Sequence, residues 1–283
     1  MNQNPTQIEF FKQRDLGEKI TVTFEFLKQN FKEIFQILLK TVLPIVAFIL
    51  IIPAFFSEYY ISTVKQIEYI EPIAYLVMFI YWIGFMIASL YTQSTVLSLL
   101  YQKTMVDPTN ANDFNLKEAI NKNFFVILWT GLLSGLIIVG CTLLLIIPGI
   151  IVGVMLSYAT SAAIFEKSSP SQAISKCWSF GLTKWGSTFG LIIIMSLIGG
   201  IVGFIFTLPT VVVSTITALS GTGLQDSGIV MKIMYYIFQL ISVFGTLLVS
   251  TLSIVALSFQ YANIREIKES VSIKSQISDF ENL

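Results

Sequence analysis

The stretch LLLIIPGIIVGVMLSYATSAAIF, residues 143–165, decides how many times this chain crosses a membrane. It ends a run of 42 residues, 124–165, that contains no charged side chain. As one helix this run would measure about 63 Å, at about 1.5 Å per residue, whereas the apolar core of a bilayer is about 30 Å thick. Proline ends a helix and glycine permits a tight turn. The stretch therefore predicts two membrane helices joined by a hairpin turn at Pro148 and Gly149, with a single kinked helix as the alternative.

The composition of the whole chain is that of a membrane protein. Of 283 residues, 54% are hydrophobic and only 12% are charged, unlike a soluble domain. A membrane helix needs about 20 consecutive apolar residues. Runs of about this length predict six spans, over residues 34–56, 72–100, 124–147, 150–165, 188–207 and 229–262. We therefore predict an all-α polytopic protein in three parts: an N-terminal segment (1–33) with an amphipathic helix, a six-helix transmembrane domain (34–262) and a C-terminal tail (263–283).

The distribution of basic residues predicts the orientation. With the N-terminus inside, 15 of the 17 Lys and Arg residues fall in inside segments, and only Lys65 and Lys232 fall outside. Short cytoplasmic loops of membrane proteins collect basic residues in this way. Both termini are therefore predicted to be cytoplasmic.

One pattern recurs three times: a basic amphipathic segment, an apolar span and a proline at the exit of the span. The exit prolines are Pro53, Pro148 and Pro209. In the first segment a 3/4 spacing predicts one apolar helix face, formed by Ile20, Phe24, Leu27, Phe31, Ile34 and Leu38. Such segments, here called the basic segments, are predicted to lie in the cytoplasmic interface and to lead into three hairpins packed as a bundle. Alternatively, there is no repeat, and any span that runs from the inside to the outside could acquire basic flanks and an exit proline.

Glycine pairs at four-residue spacing are predicted to pack helices closely, because small residues let helix backbones approach in lipid. Gly199 and Gly203 form one such pair, in the sequence GGIVGFIFTLP of the fifth span. The alternative for this span is a break in the helix that binds a substrate, since glycine and proline together can unwind a membrane helix.

Little in the sequence indicates catalysis. Histidine is absent, and the chain has no Walker loop, no HExxH and no GxSxG serine turn. No ionisable residue lies at the centre of a predicted span, where ion paths are usually marked. The two cysteines, Cys141 and Cys177, are predicted to pack as free thiols. We therefore predict a protein that is not an enzyme and binds no cofactor, no metal and no nucleic acid.

Residues 143–190 resemble the bacterial six-span proteins grouped around the glycerophosphoryl diester phosphodiesterase membrane domain. The positions that carry the resemblance are Pro148, Gly149, Glu166, Ala173, Cys177, Gly181 and Lys184. Some members of that group carry a soluble phosphodiesterase domain after the membrane part. The resemblance implies the membrane module for this chain and not the hydrolase activity.

The favoured function is organisation of membrane lipids or partner proteins through the basic segments, which suit anionic headgroups. The candidate contacts are Lys28, Lys32, Lys117, Lys122, Glu166, Lys176 and Lys184. Alternatively, these charges only set the topology. Two other functions remain open: a transporter or permease component for a small neutral or apolar solute, and a lipid-acting enzyme, which would need Glu166 to meet Lys176 or Lys184.

Overall fold

The computed structural model describes residues 8–51, 71–107, 114–221 and 227–273, without the side chains of 71–74. The described residues form helices and no strands, which confirms the all-α prediction. The helices are α1 (Leu16–Thr41), α2 (43–51), α3 (Glu71–Met105), α4 (Leu116–Leu144), α5 (Ile146–Leu156), α6 (Ala159–Phe165), α7 (Pro170–Phe180), α8 (Trp185–Leu219) and α9 (Ile229–Glu269).

Six helical segments in the described chain are long and apolar enough to cross a membrane, as predicted. They are Leu16–Ile51, Tyr75–Met105, Leu116–Leu144, Ile146–Phe165, Trp185–Leu219 and Ile229–Glu269. Many of their large apolar side chains point outward, and Leu143 and Leu144 are 82% and 81% exposed. In lipid an outward apolar side chain is in its preferred solvent, so the protein is a multi-pass membrane protein.

The chain turns between α4 and α5 at Leu145, not at Pro148 and Gly149. Leu145 has extended backbone angles, φ −157° and ψ 138°, and α5 begins at the next residue. Pro148 lies in the first turn of α5, where its missing N–H costs nothing because the first N–H groups of a helix have no helical acceptor. The prediction of two helices is confirmed, and its position for the turn was wrong by three residues.

Gly149 has a packing role instead. A Cβ atom built on it would lie 2.8 Å from the Cα atom of Thr142 in α4, closer than real side chains approach. The backbones of α4 and α5 thus come together at this glycine, and the turn itself does not depend on its conformational freedom.

The fifth span contains no break. Helix α8 is continuous past Gly199 and Gly203, and Pro209 lies inside it, ten residues before its last residue, Leu219. A Cβ atom on Gly199 would make an ordinary contact with Val249, 3.5 Å away, whereas the space around Gly203 is open. The substrate-binding break considered for this span is therefore not present in α8. Pro53 lies outside the described residues.

The first basic segment is continuous with the first span, because α1 begins at Leu16 and only residue 42 separates it from α2. Its inward face contains Val22, Phe26, Leu27, Ile34 and Leu38, all buried. Two residues of the predicted apolar face, Phe24 and Phe31, are instead 42% and 51% exposed. Burial thus divides the predicted apolar face, because Leu27, Ile34 and Leu38 are buried whereas Phe24 and Phe31 are exposed.

The chain divides into two compact units. Unit 1 comprises residues 1–34, 93–197 and 251–283, and unit 2 comprises residues 35–92 and 198–250. In unit 1, Leu191, Met195 and Ala256 are buried together, and Leu16 and Ile20 pack against them.

Unit 2 has its own packing contacts. A Cβ atom on Gly245 would lie 2.8 Å from the Cβ atom of Phe206, so α8 and α9 approach closely there, and α9 is continuous at Gly245. The ring of Phe35 meets that of Phe244 edge to face, with centroids 6.0 Å apart.

Candidate functional site

Five polar side chains of unit 1 meet where α6 ends, beside α7 and the last turns of α9. We call them the charged cluster: Glu166, Lys176, Tyr261, Arg265 and Glu269. Glu166 directly follows α6 and Lys176 lies on α7. The other three are spaced by four residues along α9, which puts them on one face of that helix.

Each charged side chain of the cluster contacts an oppositely charged side chain of the same cluster. Lys176 Nζ lies 3.0 Å from Glu166 Oε1 and 2.5 Å from Glu269 Oε1. Arg265 Nε lies 3.0 Å from Glu269 Oε2 and 3.5 Å from Glu166 Oε1. The hydroxyl of Tyr261 donates a hydrogen bond to Glu166 Oε1. Two cations thus balance two carboxylates, and the cluster has no net charge.

The ionisable side chains of the cluster are only 16% to 29% exposed, which strengthens their mutual attraction. Burial by itself lowers the pKa of Lys176, but hydrogen bonds to Glu269 and Glu166 and the charges of both carboxylates raise this pKa above its ordinary value. Lys176 therefore stays protonated at neutral pH, with its ammonium group engaged by both carboxylates.

Cys177, next to Lys176 on α7, is buried and free. Burial, followed by the negative charge of Glu166, raises the pKa of its thiol to about 12. Because the thiolate is the reactive form, this cysteine packs in the core of unit 1 and is not a nucleophile at neutral pH.

Aromatic rings surround the cluster. The ring of Tyr261 lies between those of Tyr158 and Phe180, with centroid distances of 6.3 and 6.2 Å. The guanidinium carbon of Arg265 is 5.0 Å from the ring centroid of Phe11, a cation–π distance. These rings limit the movement of the side chains of the charged cluster.

A second polar group in unit 1 is centred on Lys19, which is only 1% exposed. Its ammonium group donates to Ser187 Oγ at 2.8 Å and to Gln260 Oε1 at 2.6 Å. Gln260 in turn donates to Thr188 Oγ1 at 2.7 Å. The sequence indicated Lys19 only as one of many inside lysines. Its spacing from the buried Val22 and Phe26 could have indicated that it lies on the inward face of α1.

The structure brings two of the predicted contact residues together, Glu166 and Lys176. Lys184 does not join them: it lies just before α8, in the left-handed backbone region with φ 55°. The remaining four have exposed side chains on helices of unit 1: Lys28 and Lys32 on α1, and Lys117 and Lys122 on α4. Arg265 was missed as a partner of Glu166 because residues 263–283 were read as a solvated tail, and Tyr261 was missed because it lies in the predicted sixth span.

The described residues contain no group of three His, Cys, Asp or Glu side chains that could hold a metal ion. Comparison of the chain with protein-family models, curated proteins and solved structures gave no match. The resemblance to the phosphodiesterase membrane domain therefore stays a prediction from the sequence.

Proposed function

We propose that this multi-pass membrane protein binds anionic lipid headgroups through its basic segments and thereby organises lipids or partner proteins, without catalysing a reaction. The bound face is the cytoplasmic one, in a bacterial inner membrane, as the distribution of lysine and arginine in the sequence indicates. The charges suit headgroups at roughly 1 kcal/mol for each basic residue near the surface.

The observation that carries this proposal is a mixed stripe on the outer surface of α1. Phe24 and Phe31 are 42% and 51% exposed, and Lys28 and Lys32 are exposed beside them. Their spacing of four, three and one residues keeps them on one side of the helix. Exposed rings beside lysines are typical of a helix at the boundary of headgroups and acyl chains, where the rings enter the lipid and the ammonium groups bind phosphate.

Lys176 does not support this proposal, because its ammonium group is engaged by Glu166 and Glu269. We therefore assign Lys176 and Glu166 to holding α6, α7 and α9 together. The residues proposed to contact lipid are those exposed on α1 and α4: Lys28, Lys32, Lys117 and Lys122.

The test is lipid binding by the full chain in detergent, measured by native mass spectrometry with phosphatidylglycerol and with phosphatidylcholine. We expect preferential binding of phosphatidylglycerol, weakened about thirtyfold by the double substitution Lys28→Gln and Lys32→Gln, at roughly 1 kcal/mol for each charge. The matched control is Lys65→Gln with Lys232→Gln, which removes the same charge from the face predicted to be opposite. Equal binding of the two lipids, or equal loss in both double variants, would overturn the proposal.

A lipid-acting enzyme is the second candidate, favoured by the meeting of Glu166 with Lys176. The neutrality of the charged cluster weighs against it, since each charge already has a partner of opposite sign. Incubating the reconstituted protein with isotope-labelled phospholipids and analysing the products tests it. A product that forms with the wild type and not with Glu166→Gln would favour the enzyme, whereas unchanged lipids support the proposal of a binding protein.

Transport loses one of the two features that favoured it, because α8 is continuous through its glycines and Pro209; the other, the pattern that recurs three times in the sequence, is unaffected.

A further inference from the structure

Unit 1 contains a cavity of about 220 Å³ beside the end of α3, the beginning of α4 and the turn after α6. Its polar and aromatic lining residues are Tyr101, Phe114, Lys122, Asn123, Lys167 and Ser168. Among the residues that the structure describes, the other lining residues are apolar or alanine, and none is acidic. The cavity is smaller than the roughly 300–1,000 Å³ of sites for drug-sized molecules, so it suits a small group.

Two lysines give the cavity its charge. Lys122 enters the lining from the second turn of α4, and Lys167 enters it from the turn between α6 and α7. No carboxylate stands among the described lining residues, so within that set the positive charge is not balanced, in contrast to the charged cluster nearby in sequence. A cavity of this kind selects an anion.

Lys167 lies where α6 ends, and the N–H of Ser168 closes this helix end by donating to the carbonyl of Ala163 at 3.1 Å. Lys167 has φ 50°, in the left-handed region that glycine or asparagine adopts at much lower cost. Its ammonium group lies 5.4 Å from the ring centroid of Tyr101, and that ring stacks on Phe114 at 6.3 Å. The turn thus presents a cation against the aromatic wall of the cavity at a position where the backbone would favour glycine.

Ser168 supplies an unsatisfied polar group. Its hydroxyl is buried and has no hydrogen-bond partner. Native proteins pair nearly all buried polar side-chain atoms, and Ser168 is a lining residue of the cavity, so its hydroxyl is a candidate donor to a ligand bound there. The neighbouring Asn123 donates one amide N–H to Ser98 Oγ at 2.8 Å, which fixes the orientation of its side chain.

We propose that this cavity binds a phosphate group, with Lys122 and Lys167 as its cationic contacts and Ser168 as a hydrogen-bond donor. A phosphate carries negative charge on several acceptor oxygens, and lysine binds it as a point charge. The inference rests on the proposed function, for which it names the chemical group that this face recognises. The phosphate belongs to a phospholipid headgroup or is free inorganic phosphate, and the two sources share this chemistry.

The experiment measures binding of two probes to the full chain in detergent: inorganic phosphate and short-chain phosphatidylglycerol, with short-chain phosphatidylcholine as the reference lipid. We expect the double substitution Lys122→Gln with Lys167→Gln to lower by tenfold or more the affinity for the probe that binds. The substitution Lys167→Arg should retain most of this affinity. Lys268→Gln is the matched control, because it removes one charge from an exposed lysine near the end of α9 that is not among the lining residues of the cavity. Equal binding by the cavity variant and the wild type would overturn the inference.

Ser168→Ala separates a binding role from a structural one. If the hydroxyl serves only the ligand, this variant loses phosphate affinity and keeps or gains thermal stability without ligand, because an unsatisfied buried group has been removed. Lower stability without ligand, together with unchanged affinity, would contradict the role of Ser168 in the site.

The results separate the failure of this inference from the failure of the proposed function. If Lys28→Gln with Lys32→Gln abolishes the preference for phosphatidylglycerol and the cavity variant retains it, the cavity inference fails and the proposed function stands. If inorganic phosphate binds and the cavity variant loses it, but the wild type prefers neither lipid, the cavity inference stands with free phosphate as its ligand and the proposed function fails.

Discussion

The two units of this protein join their helices by different means. In unit 1, side chains far apart in sequence pair across helices, as Lys176 does with Glu269 and Lys19 with Gln260. In unit 2, hydroxyl groups such as those of Thr92 and Thr246 donate to a carbonyl one turn earlier in their own helix. Helices of unit 2 meet at small residues, such as Gly245 against Phe206, as α4 and α5 of unit 1 also do at Gly149.

The two kinds of helix contact, paired charges and close packing at small residues, suit different surroundings. In lipid, apolar surface gives helices no reason to associate, so close packing at small residues brings them together. Paired charges stabilise only where they are partly shielded from water and their partners are in place. Unit 1 should therefore be sensitive to the removal of charge, and unit 2 to the addition of volume.

The largest effect is expected from Glu166→Ala in unit 1. The substitution takes an acceptor from Lys176, Arg265 and Tyr261 at once. Breaking a buried pair costs about 3–5 kcal/mol, and the partial exposure of the cluster reduces this to about 2–3 kcal/mol in the free energy of unfolding. Denaturant or detergent unfolding in mixed micelles measures it.

The control for this substitution is Glu33→Ala, also in unit 1. Glu33 Oε2 lies 2.9 Å from Lys103 Nζ, but the two side chains are 40% and 41% exposed. An exposed pair contributes about 0–1 kcal/mol. Similar losses in the two variants would mean that burial does not distinguish the charged cluster from a surface pair.

The next effect is expected from Gly245→Ala in unit 2. The new methyl group would lie 2.8 Å from the Cβ atom of Phe206, so α8 or α9 must move, at a cost of about 1–3 kcal/mol. The same unfolding measurement applies to it.

Gly203→Ala is the matched control in unit 2, because the space around Gly203 is open. It should be neutral or stabilise the protein by up to about 1 kcal/mol, since alanine favours helix over glycine. If both substitutions have the same effect, close packing at Gly245 is not what stabilises unit 2.

The smallest effect is a dependence of stability on alkaline pH that comes from the charged cluster of unit 1. The pKa of Lys176 is higher in the folded protein than its ordinary value, near 10.4, because hydrogen bonds and charges from Glu269 and Glu166 outweigh burial. Its stabilising contribution is complete below about pH 10 and is lost as pH rises through the folded-state pKa.

The stability difference between wild type and Lys176→Met should therefore be constant from pH 7 to about pH 10 and shrink above it. Lys232→Met, in unit 2, controls for the general effect of alkaline pH. A difference that grows with pH would reverse the sign of this linkage.

The sequence predicted the parts of the fold that depend on length and composition. The six spans follow from the thickness of a bilayer, and the charge-free run ending at Phe165 required two crossings. The position of the turn was missed because a proline is tolerated in the first turn of a helix as readily as it ends one, and the identity of Pro148 does not distinguish these cases.

The candidate site was predictable only in part, because pairing between distant segments leaves a weak pattern in sequence. Glu166 and Lys176 are ten residues apart and their meeting was considered. Tyr261, Arg265 and Glu269 come about a hundred residues later, and only their four-residue spacing indicated a common face. The cavity at Lys167 and Ser168 had no sequence signal, since neither the backbone angle of Lys167 nor an orphaned hydroxyl can be read from composition.

The charged cluster also forms in two stages while the protein is being synthesised. Glu166 and Lys176 leave the ribosome early and can pair with each other, but Tyr261, which binds Glu166, follows 95 residues later. At about 5–20 residues per second, this interval lasts about 5–20 s. During this interval the nascent chain carries only Glu166 and Lys176 of the charged cluster. The cluster is completed when α9 is made. Nascent chains arrested before α9 would thus differ chemically from finished ones, a difference that a membrane protease or chaperone could recognise.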